Sequence, residues 1–92
     1  MERLEKLRRV KALLEMALED RTTVPQVLDN WPEETGIDCK LFDTSRWQLV
    51  YIQNDEDIIQ QEPEYRERML KILRSLCDEV CERIQLERKN GA

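Results

Sequence analysis

The sequence predicts a mainly α-helical domain, α+β if a central hairpin forms. Three observations carry that expectation. Apolar residues recur at helical spacing over both ends of the chain, the period changes between Ile37 and Ile52, and Pro25, Pro32 and Pro63 fall at the seams. Such switches of period are the primary signal of secondary structure in a sequence.

The first element is a helix over 2–20. At about 100° per residue, Leu4, Leu7, Val10, Leu13, Leu14, Ala17 and Leu18 occupy one half of the circumference, and Glu2, Glu5 and Glu19 lie opposite with Arg8 and Arg9. Glu2 and Glu5 suit the N-terminal end of the helix dipole, and no Gly, Pro or Thr interrupts the segment. Thr22-Thr23 then supply a stop and a new cap. A short helix over 24–30 follows, with Pro25 in the first turn, where its missing N–H costs little. Trp31-Pro32 ends it, because the residue before a proline is pushed out of the α region.

Residues 33–36 read as loop, and beyond them the pattern alternates. Ile37, Cys39 and Leu41 interleave with Asp38 and Lys40, Asp43 to Arg46 resembles a turn, and 47–52 is rich in aromatic and β-branched residues. A β-hairpin of strands 37–42 and 47–52 is the expectation. The alternative is an all-α chain with a helix over 46–61 capped by Ser45, which places Trp47, Val50, Tyr51 and Ile58 on one face. Asn54 to Asp57 is an acidic turn or helix start.

The last element is a long helix over 63–89, opened by Pro63 and Glu64 and closed by Arg88, Lys89 and a cap at Asn90-Gly91. Tyr65, Met69, Ile72, Leu73, Leu76, Cys77, Val80 and Ile84 share one face, with Leu70 and Cys81 at its margin. The two long helices are expected to run antiparallel. At helical rise the second is about 40 Å long, more than one short neighbour covers. A second copy of the chain is therefore expected to bury a remaining strip of Tyr65, Met69, Leu73, Leu76, Val80 and Ile84, making a homodimer.

Ninety-two residues, 1–92, make one small domain. A chain of this length buries only roughly 60–65% of its unfolded surface, so its stability is marginal. The net charge of −5 argues against nucleic acid as a partner, and no apolar run is long enough to span a membrane. Three cysteines, an odd number without framework spacing, fit a reducing compartment, and the N-terminus lacks the apolar region of a signal peptide. The expected location is cytoplasmic.

Chemistry is sought and not found. The chain has no histidine, its two serines, Ser45 and Ser75, have no base beside them, and two glycines cannot build a phosphate-cradling loop. No enzyme activity and no cofactor are expected. Cys77 and Cys81 share a helical face, but two thiols without further ligands fall short of a zinc site and read as packing residues. Asp55 and Asp57 resemble the start of a calcium loop, yet Ile58-Ile59 stands where ligands are needed. No metal is expected.

What remains is the distribution of charge. Residues 22–62 hold only Lys40 and Arg46 against nine acids, and they carry Trp31, Phe42, Trp47 and Tyr51. Charge-balanced helical ends thus flank an acidic, aromatic centre. The expected function is a non-enzymatic interaction module, a small regulator, inhibitor or adaptor. It would dock a basic protein surface through Trp31, Trp47 and Tyr51, steered by Asp38, Asp43, Asp55, Glu56 and Asp57. The alternatives are a structural subunit packing through its C-terminal helix, and a helix-turn-helix DNA-binding regulator starting at 24–30. The plan of helices alone assigns none of these.

Overall fold

Five helices follow one another in the computed structural model, which describes residues 2–19, 21–34 and 36–90: α1 (Glu2–Leu18), α2 (Val24–Asp29), α3 (Cys39–Asn54), α4 (Glu56–Gln61) and α5 (Pro63–Asn90). Helix makes up 84% of the structure, and no strand occurs among the described residues. The fold is all-α.

The long C-terminal helix is the spine. α1 packs along it most extensively and α3 packs beside it, both antiparallel to α5, as pairings between Arg3 and Glu87 and between Gln48 and Met69 mark out. α2 bridges α1 and α3, and α4 joins α3 to α5. Leu7, Val10 and Leu14 of α1, Val27 of α2, Phe42 and Leu49 of α3, and Leu73 and Val80 of α5 meet in one core with almost no exposed surface. Burial of this apolar area is the main stabilising term.

The short elements owe their ends to local chemistry. Thr23 and Gln26 form a reciprocal capping box at the start of α2, with Pro25 in its first turn. Arg9 Nε donates to the Asn30 carbonyl at 3.0 Å, tying the end of α2 back to α1. Gly36 adopts φ +83°, a left-handed conformation that a side chain would disfavour, and from there the chain enters α3. Asp55 breaks α3 from α4, and Pro63 opens α5. Of the C-cap expected at Asn90-Gly91, Gly91 lies outside the described residues, as do Met1 and Asp20.

The hairpin does not form. A single helix, α3, starts at Cys39 within the first expected strand and runs on through the turn and the second strand, with Ile37 and Asp38 ahead of it. Its buried residues, Leu41, Phe42, Ser45, Gln48 and Leu49, follow the 3.6-residue period rather than alternation. Two of these are polar, which hides the period in the sequence. Ser45 Oγ donates to the Leu41 carbonyl at 2.8 Å, and Gln48 Nε2 to the Met69 carbonyl at 3.2 Å, so both sit in the core with partners. Thr44 likewise folds back onto the Lys40 carbonyl at 2.8 Å, and the residues that resembled a turn continue the helix. The helix expected over 46–61 is also displaced: Ser45 lies inside α3, not at its cap, and Asp55 divides the segment.

The strip expected to face a second subunit is mostly covered within one chain. Met69, Leu73, Val80 and Ile84 are buried, while Tyr65 and Leu76 are half-buried. α3, being a full helix, packs against α5 beside α1. The homodimer thereby loses the reason given for it.

Candidate functional site

The centre of the chain divides into groups that the fold uses and groups that it leaves at the surface. Asp38 stands just before α3, where a carboxylate would ordinarily cap the helix, yet it makes no such bond. Its side chain turns inward instead. Arg3 Nε and Nη2 grip its two oxygens at 2.8 and 3.1 Å, and Arg83 Nη1 reaches Oδ1 at 2.9 Å. Arg3 also pairs with Glu87. Asp38, only 2% exposed, therefore joins the start of α1, the start of α3 and the far end of α5. The Arg3 hydrogen bonds, aided by Arg83, hold its carboxyl below the usual range despite the opposing effect of burial. Asp38 is a structural clamp and is removed from the surface acids.

Two more of the expected steering acids are engaged. Asp43 accepts from Arg46 Nη2 at 3.0 Å, and Arg46 also pairs with Glu34. Asp55 accepts the Tyr65 hydroxyl, a bond that raises the Tyr65 pKa. Glu56 and Asp57 remain exposed in the first turn of α4.

The aromatics separate in the same way. Phe42 is in the core, and Trp31 is half-buried against it with an indole Nε1 that has no hydrogen-bond partner among the described residues. Trp47 and Tyr51, one turn apart on α3, are 45% and 52% exposed with ring centroids 6.1 Å apart. The Arg46 guanidinium lies 5.0 Å from the Trp47 ring centroid. Gln48 and Asp55, which bond to α5, mark the flank of α3 facing that helix, and by helical register Tyr51 lies on the outer side of that flank. Ile72 of α5 is 48% exposed, three residues on from Met69, the partner of Gln48. Its exposure had no signal in the sequence beyond a place on the broad apolar face.

The cysteines are free, and no group of three or more potential metal ligands occurs among the described residues. Cys39, expected on a strand, is the exposed first residue of α3. Cys77 is buried, and burial first, then the nearby Cys81 and Glu15, push its thiol up to about 11. At neutral pH it stays protonated. Alkylation of the native protein should modify Cys39 first and Cys77 about a hundredfold more slowly, through opening of the fold. Equal rates, read by mass spectrometry of the peptides, would contradict this placement.

A cleft of about 850 Å³ opens where α1 ends, between the α1–α2 turn, α3, α4 and α5. Nothing in the sequence pointed to it, because its walls come from four separate segments. No helix among the described residues is long and apolar enough to cross a membrane. No protein-family model matches the chain, and no curated protein or solved structure matches it. Among the described residues, fold and surface define a small helical domain with an exposed aromatic pair and an open cleft.

Proposed function

We propose that this protein is a non-enzymatic interaction module that docks a protein partner through Trp47 and Tyr51. The observation behind this reading is their exposure. A domain of 92 residues has little apolar area to spare, yet it leaves two of its five aromatics about half exposed, on a helix whose other face is locked into the core. Trp and Tyr held rigidly at a surface are the residue types that dominate binding energy at interfaces. Ile72, on the neighbouring α5, is a further exposed apolar residue. Glu56 and Asp57, a turn beyond Tyr51, supply the acidic steering toward a basic partner, since Asp38, Asp43 and Asp55 are held by internal contacts. Unpaired cysteines fit a cytoplasmic location.

The competing readings have less behind them. A structural subunit packing through α5 would find its apolar face occupied, with only Ile72 and Leu86 left as large exposed hydrophobics. A helix-turn-helix needs about three to four residues between its helices, whereas α2 and α3 are separated by residues 30–38.

Trp47→Ala and Tyr51→Ala should each leave urea stability within about 1 kcal/mol of the parent, because neither ring is buried. In paired pull-downs from the source cell, a protein retained by the parent should be lost with both variants. Its binding should weaken as salt rises if Glu56 and Asp57 steer it. Retention of the same proteins by the parent and both variants would end this reading.

A further inference from the structure

Cys77 and Cys81 stand one turn apart on α5, on the flank that packs against α1. Their side chains are in hydrogen-bonding contact with each other, and Lys11 and Glu15 of α1 are close enough to act on them electrostatically. Cys77 belongs to the core and is 7% exposed, whereas Cys81 is half-buried. One sulfur is thus sheltered while its neighbour reaches the surface. α5 runs as one helix from Pro63 to Asn90, so the helix itself holds this spacing.

The spacing decides what the pair can do. Residues four apart on a helix have Cβ atoms about 5–6 Å apart. A disulfide needs Cβ atoms about 3.5–4.5 Å apart, so it would distort the turn of α5 that carries both residues. A metal ion between the sulfurs removes that conflict. With metal–sulfur bonds of about 2.3 Å, as in zinc thiolates, two sulfurs on opposite sides of an ion stand about 4.6 Å apart, within reach of unmoved Cβ atoms.

The ligand count then selects the ion. Structural zinc takes four ligands, and no group of three or more potential metal ligands occurs among the described residues. Copper(I), a soft monovalent ion, prefers thiolate sulfur and is satisfied by two of them in a line. Two thiolates around a monovalent cation leave one negative charge, and the Lys11 ammonium lies beside both sulfurs to balance it. Glu15 and Asp78 add negative charge near Cys77, which disfavours bare thiolates there and favours a bound cation.

We propose that Cys77 and Cys81 form a two-coordinate site for a soft monovalent metal ion of the copper(I) class. On binding, each thiol gives its proton to water and each sulfur forms one bond to the ion, with no change of oxidation state. The ion enters at Cys81, the sulfur nearer solvent, and Cys77 closes the site from the core. Nothing in this proposal depends on the aromatic surface of α3.

The test is an anaerobic competition between the reduced protein and bicinchoninate for copper(I), read from the colour of the bicinchoninate complex. The protein should withdraw one copper(I) per chain. Loss of one of the two ligands should weaken binding about a hundredfold, in Cys81→Ser and Cys77→Ser alike. Cys81 is half-buried, so Cys81→Ser should keep the fold by circular dichroism and carries the test even if Cys77→Ser does not fold. Cys39→Ser and Trp47→Ala should bind copper(I) as the parent does. No copper withdrawn from bicinchoninate, one copper per two chains, a dependence on Cys39, or unchanged affinity in Cys81→Ser would each overturn the proposal.

Discussion

Asp38→Asn is expected to lower folding stability by about 2–4 kcal/mol. The substitution keeps the shape of the side chain and removes only its charge. Three arginine nitrogens, two from Arg3 and one from Arg83, then face a neutral amide, and the charge that joined α1, α3 and α5 is gone. The upper part of the range belongs to fully buried pairs. Here the Arg3 and Arg83 side chains keep 31% and 30% exposure, so both recover some hydration and soften the loss. Against a total of about 5–14 kcal/mol for a domain of this length, the change should move the urea midpoint by about 2 M. A shift below about 0.5 M would show that the arginines re-solvate freely and that the clamp is ornamental.

The same carboxylate predicts a pH dependence with a definite sign. Arg3, foremost, holds the folded Asp38 pKa below the ordinary value, while in the unfolded chain the group titrates near 3.9. Acid therefore protonates the unfolded chain first and favours it. The contribution of Asp38 is complete well above pH 4 and is lost as pH falls through the lower folded value. Asp38→Asn lacks this contribution throughout, so the gap between the variant and the parent should close between about pH 5 and pH 2. A gap that stays constant over that range in urea titrations would exclude a depressed Asp38 pKa.

Phe42→Ala is expected to cost about 3–5 kcal/mol, enough to lower the thermal midpoint by about 15 °C or more. Phe42 is 1% exposed and is the largest fully buried side chain among the described residues. It lies in α3 with Leu41 and Leu49, within the core that also holds Val27 of α2 and Leu7 and Leu14 of α1, so its truncation leaves a cavity that rigid helices cannot close. Trp47→Ala, five residues away on the outer face of the same helix, is the matched control and should change little. Calorimetry or circular dichroism melts of the two variants decide the matter. Similar losses for both would mean that α3 presents a different face to the core.

These two residues also show how far the sequence could be read. Both end helices were legible because their cores are written in aliphatic residues, with Leu7, Val10 and Leu14 in one and Met69, Leu73 and Val80 in the other. The cap at Thr22-Thr23 and the proline at the start of α5 announced their own positions, although the reciprocal partner Gln26 appeared only in the structure. The middle was not legible in the same way. Ser45 and Gln48 take core positions on α3, and they qualify only because a carbonyl one turn back and another on α5 accept their hydrogen bonds. The apolar period is therefore interrupted where the helix is most buried, and the aromatic and β-branched run after it imitates a strand.

The candidate surface divides along the same line. That the centre is acidic and aromatic follows from residue identities alone. Which acids are spent inside the fold and which face solvent depends on Arg3 and Arg83, 35 and 45 residues distant in sequence from Asp38. The exposure of Trp47 and Tyr51 likewise depends on α3 turning Phe42 and Leu49 inward. Composition, the helical character of both ends, the caps and the charge balance are local properties, encoded within a few turns of chain. The helical state of the middle, the fate of Asp38, the covering of the α5 strip and the cleft at the end of α1 were decided only in the tertiary structure. Each is a contact between segments far apart in sequence, and its energy exists only once the antiparallel helices have brought those segments together.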